Sequence, residues 1–244
     1  MLILLGDSDF YRWPKSVLPK CNPSPINISQ NGITLGELHQ LFEKNVRNLP
    51  PPPNPSSQQR ENFVSVFVCG GENDIAQGTP PDVIARNLAS LLSSLASFLV
   101  PTFGPTKFFI LGPKLEPWSD ADAEEEAVAR VNCTKLSKRF EAVVEDAAND
   151  IDVDVDVDVD AEFISCLHMF CREKEREERA EKIKLGGIFT GATDFDFVDG
   201  RFFADDGLHL SVAGYEIWKE IIERKVQKEE KEWSSGQKSG ECNA

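Results

Sequence analysis

The chain has 244 residues, 41% of them hydrophobic, with a formal net charge of −15 and a pI near 4.7. That length suits one compact domain, with or without a tail. The acidity reads first as solubility, and with no basic stripe anywhere it argues against nucleic acid and anionic membrane surfaces as partners.

Met1 to Gly6 is apolar but far too short for a signal-peptide core or a membrane span. No later segment reads as long and apolar enough to cross a bilayer. The expectation is a cytoplasmic protein without stable membrane insertion. Leu2 to Leu5 has instead the look of a strand buried on both faces. Residues 14–34 are loop-like, with Pro14, Pro19, Pro23 and Pro25, and leave room for one short strand before Gly32. Leu35 to Leu49 has helical periodicity, with Leu38, Leu41, Phe42 and Val46 on one face.

Residues 50–57, Pro-Pro-Pro-Pro-Asn-Pro-Ser-Ser, read as a stiff surface loop rather than a ligand for a proline-binding module. Phe63 to Cys69 is the next strand, rich in Val and Phe. Pro80 and Pro81 open a helix whose core face is Ile84, Leu88, Leu91, Leu92, Leu95 and Phe98. Lys107 to Leu111 is a third strand, stopped by Gly112-Pro113. Residues 121–148 form a long acidic helix, with Val128, Val131, Leu136, Phe140 and Val144 expected inward.

Ile151 to Val159 alternates Asp with apolar residues, the period of a strand with one apolar face. A row of carboxylates does not close a cage of 6–8 oxygens, so calcium is not expected there. Residues 172–184 mix acids and bases as an exposed helical insertion. Ser211 to Val226 is a final helix capped by Ser211. Residues 227–244 are polar and expected to be a disordered tail. The domain proper is therefore 1–226. Strands alternating with helices indicate a three-layer α/β/α sandwich around a mostly parallel sheet.

Six cysteines are scattered along the chain: Cys21, Cys69, Cys133, Cys166, Cys171 and Cys242. A chain this long folds without disulfide staples, so Cys69, closing an apolar run, reads as a buried thiol. Cys166 and Cys171 lack a second pair at ligand spacing, which argues against zinc. No metal or organic cofactor is expected.

Three clusters carry chemistry, each at a strand end or a helix start, the edge where parallel sheets bind ligands. Gly6-Asp7-Ser8 projects a serine from the end of the first strand. Gly71-Glu72-Asn73-Asp74 follows the second; an Asn amide donates a hydrogen bond without charge, which suits an oxyanion that exists only in the transition state. Asp206-Gly207-Leu208-His209 precedes the last helix. An Asp three residues before a His can fold back and hold one ring nitrogen while the other faces a nucleophile. Asp205 offers the same chemistry one position earlier. The other histidines, His39 and His168, read as packed or surface residues.

The segments "LLGDSDFYRW", "GGENDI" and "DGLHLSVAGY", in that order over most of the chain, resemble the SGNH/GDSL hydrolase family. The resemblance implies a flavodoxin-like fold and a serine hydrolase. It implies Ser8 as nucleophile, His209 as general base and Asp206 as its orienting acid. It also implies an oxyanion hole formed by the Ser8 N–H, the Gly32 N–H and the Asn73 side chain. One departure is Asp9, where the family pattern has an apolar residue; it either weighs against anionic substrates or turns outward. The expected reaction is hydrolysis of a small-molecule ester, with a small acyl or acetyl group favoured, through an acyl-serine. Activity is expected to rise with pH as an imidazole base loses its proton. An acyltransferase using the same triad and a non-catalytic binding module on the same fold stand as alternatives. A phosphate-binding flavodoxin-like protein would need a richer early loop of glycines and hydroxyls.

Overall fold

The computed structural model describes residues 1–21, 23–46, 49, 63–117, 123–148, 159–167, 169–171 and 198–240. Its strands are β1 (Leu2–Gly6), β2 (Ile26–Ser29), β3 (Val64–Cys69), β4 (Thr106–Leu111) and β5 (Asp160–Ile164). They form one all-parallel sheet in the order β2-β1-β3-β4-β5. The helices are α1 (Ser8–Tyr11), α2 (Leu35–Asn45), α3 (Glu72–Ala76), α4 (Pro81–Phe103), α5 (Ala123–Ala148) and α6 (Val212–Gly240). Parallel pairing needs crossovers, and helices on both faces supply them, so the central strands are apolar on both sides.

Alternation along each strand divides the core in two. Ile3, Leu5, Val66, Val68, Phe108 and Ile110 share one layer with residues of α2, α4 and α5. Leu4, Phe67, Phe109 and Leu111 share the other with Phe10, Trp13 and the α6 residues Tyr215, Trp218 and Ile222. Phe67 and Phe109 stack with centroids 4.5 Å apart. Burying one such side chain contributes about 1.5–3 kcal/mol.

Local sequence starts the helices where expected. Glu37 Oε2 accepts the Thr34 N–H at 3.0 Å and fixes the start of α2. Pro81 occupies the first turn of α4. Ser211 Oγ accepts the Gly214 N–H at 3.3 Å ahead of α6. The short strand before Gly32 is β2.

Several expectations are corrected. Of the strand expected over 151–159 only Val159 is described; it lies outside a strand, and β5 begins just past it at Asp160. Val128 and Val131 are exposed, because α5 turns Cys133, Leu136, Phe140 and Val144 inward instead. The expected disordered tail is helical as far as Gly240. It is a continuation of α6 that buries Glu229 and sets Trp233 beside Phe63, ring centroids 6.2 Å apart. α4 is long and apolar enough to cross a membrane by length and composition, with mean hydropathy 1.6 over its most apolar window. Here it is a core helix, in contact with α2, α5 and β4, with Ile84, Leu88, Leu91, Leu92, Leu95 and Leu99 buried against those partners, whereas Phe98, expected on the core face, is exposed beside Phe42 and Phe103. The proline stretch 50–57, the Asp repeat through 158, His168, the insertion 172–184 and Cys242 lie outside the described residues.

Strand order reverses between β1 and β3. In open parallel sheets the crevice at the carboxyl ends of such a pair is where ligands bind.

Candidate active site

The turns after β1 and β3 meet at that crevice. Gly6 pairs with Cys69, and a Cβ on Gly6 would stand 2.8 Å from both the Cys69 carbonyl oxygen and Phe10 Cδ2. Only glycine lets the strand ends close this tightly. Asp7 then caps α1, its Oδ1 accepting the Asp9 N–H at 3.1 Å, and Ser8 is the first helical residue. After β3, Gly71 adopts φ +106° and starts α3. Two bonds tie α3 to the loop after β2. Asn73 Nδ2 donates to the Ile33 carbonyl at 3.0 Å, and the Leu35 N–H donates to Asp74 Oδ2 at 2.9 Å. Gly32, in that loop, has φ +74° and open space where a side chain would stand.

The third turn folds back on itself. Asp206 Oδ1 accepts the N–H groups of Leu208 and His209, each at 3.0 Å, while Oδ2 lies 2.7 Å from His209 Nδ1. Burial works to raise the Asp206 carboxyl, but the hydrogen bonds from His209 and Leu208 outweigh it and hold it well below the usual carboxylate range. Asp206, not Asp205, is thus the partner of His209. Arg12 Nη1 approaches Asp206 Oδ2 at 3.4 Å; both side chains are largely exposed, so the pair contributes little.

Ser8, Gly32, Asn73 and His209 line one cavity of about 310 Å³, together with Asp7, Glu72, Lys114 and Glu116. All five residues expected from the sequence therefore gather here, with Asp206 behind His209. Among the described residues, Ser8 Oγ makes no hydrogen bond to His209; such contacts are often loose until substrate binds. The arrangement offers a hydroxyl, an imidazole fixed at Nδ1 by a carboxylate, and an uncharged amide donor around one small volume. His39 is absorbed elsewhere, its Nε2 2.6 Å from Ser94 Oγ of α4.

No protein-family model matches the sequence, and no curated protein matches it. Solved structures do. A lipase/acylhydrolase from Enterococcus faecalis superposes with a TM-score of 0.54 over 93% of this chain and 95% of its own, at 17% identity. A member of the lipolytic G-D-S-L family from Veillonella parvula gives 0.51 over 89% and 93%, at 14% identity. A carbohydrate acetylesterase from Sinorhizobium meliloti gives 0.50 over 93% and 98%, at 16% identity. The fold is that of the SGNH/GDSL hydrolases.

Within this SGNH/GDSL frame stands a feature the sequence reading missed. Asp9 does not turn outward; it is 1% exposed and its Oδ2 lies 2.8 Å from Lys114 Nζ. The same ammonium reaches Glu72 Oε2 at 2.6 Å and Glu116 Oε1 at 2.9 Å. Burial alone would lower Lys114, but the three carboxylates outweigh it and raise it well above the ordinary lysine value. Burial, then the charges of Asp9 and Glu72, push Asp7 well above the usual range. Burial pushes Glu116 up to about 8 against the opposing pull of Lys114. The available signal was Asp9 itself: a charge replacing an apolar residue beside a core strand needs a partner, and Lys114 stands just past the end of β4.

Asp7, Asp9 and Cys69 also bring three potential metal ligands within 4.8 Å of one another. The set does not suit a cation. Lys114 already neutralises Asp9, and burial favours the protonated forms of Asp7 and Cys69.

Proposed function

We propose that the protein is a serine esterase acting on small carboxylic esters. The observation that carries this reading is the 2.7 Å Asp206–His209 pair on a cavity shared with Ser8, Gly32 and Asn73. In the proposed cycle His209 Nε2 takes the Ser8 hydroxyl proton as Ser8 Oγ attacks the ester carbonyl. The carbonyl oxygen becomes an oxyanion held by the N–H groups of Ser8 and Gly32 and by the Asn73 amide. One Asn73 Nδ2 hydrogen already bonds the Ile33 carbonyl, which orients the amide and leaves the second hydrogen for the oxyanion. His209 returns the proton to the departing alcohol. Water then repeats the sequence on the acyl-serine. Asp206 stays ionised, holding the ring and stabilising its charged form.

The cavity, about 310 Å³, is at the small end for ligand sites and suits a short acyl group. The acetylesterase among the structural neighbours is consistent with that size. The test is hydrolysis of p-nitrophenyl esters of increasing acyl length by the wild type and Ser8→Ala. Turnover that declines with chain length in the wild type, and is at background in Ser8→Ala, supports the reading. Equal background rates in both would replace it with a binding role for the fold. Transfer of the acyl group to an added alcohol in preference to water would make it an acyltransferase.

A further inference from the structure

The buried ionic cluster joins the two turns on which the proposed chemistry depends. Asp9 directly follows Ser8, and Glu72 directly precedes Asn73. Lys114 binds both: its Nζ lies 2.8 Å from Asp9 Oδ2 and 2.6 Å from Glu72 Oε2, and its backbone N–H donates to Glu72 Oε1 at 2.7 Å. Glu116 Oε1, at 2.9 Å, takes up the third ammonium hydrogen and fixes the direction of the other two. Asp9 Oδ1 accepts no hydrogen bond among the described residues, so Lys114 is the partner that compensates this buried carboxylate. The linkage reaches further. Asn73 holds the Ile33 carbonyl and Asp74 holds the Leu35 N–H, so the Gly32 loop is fastened to the same short helix.

A buried ion cluster is weak evidence for stability, because apolar side chains of similar volume often do as well. What an ammonium with three committed hydrogens adds is distance and direction between the groups that it binds. We propose that Lys114 is a positioning residue, its ammonium clamping the Ser8 turn to the Asn73 turn and so setting the separation between nucleophile and oxyanion donor. The proposal rests on the serine-esterase reading for its functional meaning. Lys114 touches no reacting atom in it.

The test is a double-mutant cycle between Lys114→Met and Asn73→Ala, read as kcat and KM on p-nitrophenyl acetate. In the wild-type background, removing an oxyanion donor costs ~10²–10³ in kcat. With the clamp gone, Asn73 is already displaced, so the same substitution is expected to cost less than roughly tenfold, with KM little changed. Multiplicative losses in folded protein would overturn the proposal. If Lys114→Met does not fold, Asp9→Asn combined with Glu72→Gln keeps the shapes, removes the charges and enters the same cycle. Lys107→Met is the control, because Lys107 pairs with Asp160 and Glu229 at the other end of β4. It should leave the cost of Asn73→Ala unchanged, and an equal weakening there would mean that general loosening is responsible.

Amide hydrogen exchange reads the clamp without substrate. Lys114→Met should speed exchange at residues 8–10 and 73–75 together and leave β1 and β3 protected. Unchanged exchange in both turns would overturn the proposal. A wild type inert on every ester would defeat the esterase reading while the exchange result still judged the clamp.

Discussion

Asp206→Asn isolates what the carboxylate does for His209. The replacement keeps an oxygen at Oδ1, where Asp206 accepts two backbone N–H groups at 3.0 Å, so the turn should survive. At Oδ2, 2.7 Å from His209 Nδ1, it presents an NH₂ donor. Two donors cannot share that contact. The ring must place its proton on Nε2, the nitrogen that has to accept the Ser8 proton. A wrong tautomer of this kind costs ~10⁴ in kcat where the acid is fully buried, about 5 kcal/mol of barrier. Asp206 is partly exposed, its side chain 42% accessible, so water compensates in part. The expected loss is ~10²–10⁴, with KM little changed. The assay is steady-state hydrolysis of p-nitrophenyl acetate beside a thermal melt. A fall of less than tenfold at unchanged melting temperature would refute the claim that Asp206 sets the tautomer.

Other consequences follow from the packing. Glu116 moves from 4.5 unfolded to about 8 folded, so between those values the native state keeps a proton that the unfolded chain has lost. Its contribution is therefore most favourable below pH 4.5 and declines as pH rises towards 8. Urea midpoints at pH 5 and 8 should show that decline, and Glu116→Gln should flatten it; an unchanged slope would contradict the assignment. Gly71→Ala forces a side chain into φ +106° with its Cβ 2.9 Å from Leu136 Cδ2, and should cost about 1–3 kcal/mol in urea unfolding. Phe67→Ala empties a fully buried site stacked on Phe109 and should cost about 3–5 kcal/mol in the same measurement.

Much of this was legible in the sequence, for identifiable reasons. β1, β3 and β4 are short, predominantly apolar runs followed by glycine turns, as strands buried on both faces are expected to be. The site residues sit in those turns, so finding the strand ends found Ser8 and Asn73. Asp206 and His209 are three residues apart, and their contact is local. Three features were hidden. β5 reads Asp-Ala-Glu-Phe-Ile, a half-polar edge strand with too short an apolar run to stand out, and only its pairing with β4 marks it. The 227–240 segment looked like a tail because its composition is charged, although Trp233 packs beside Phe63. Lys114 looked like any lysine, because Glu116 two residues on is an ordinary local neighbour, while Asp9 and Glu72 follow two other strands and only the fold brings them to it.

The most direct test of the central claim is intact-mass analysis and peptide mapping after exposure to a fluorophosphonate probe, which reacts with an activated serine without needing the right ester. The account predicts one adduct, on Ser8, with none in Ser8→Ala and markedly slower labelling in His209→Ala. Ester turnover by a protein that forms no adduct at Ser8, or that carries its adduct on another residue, would contradict it.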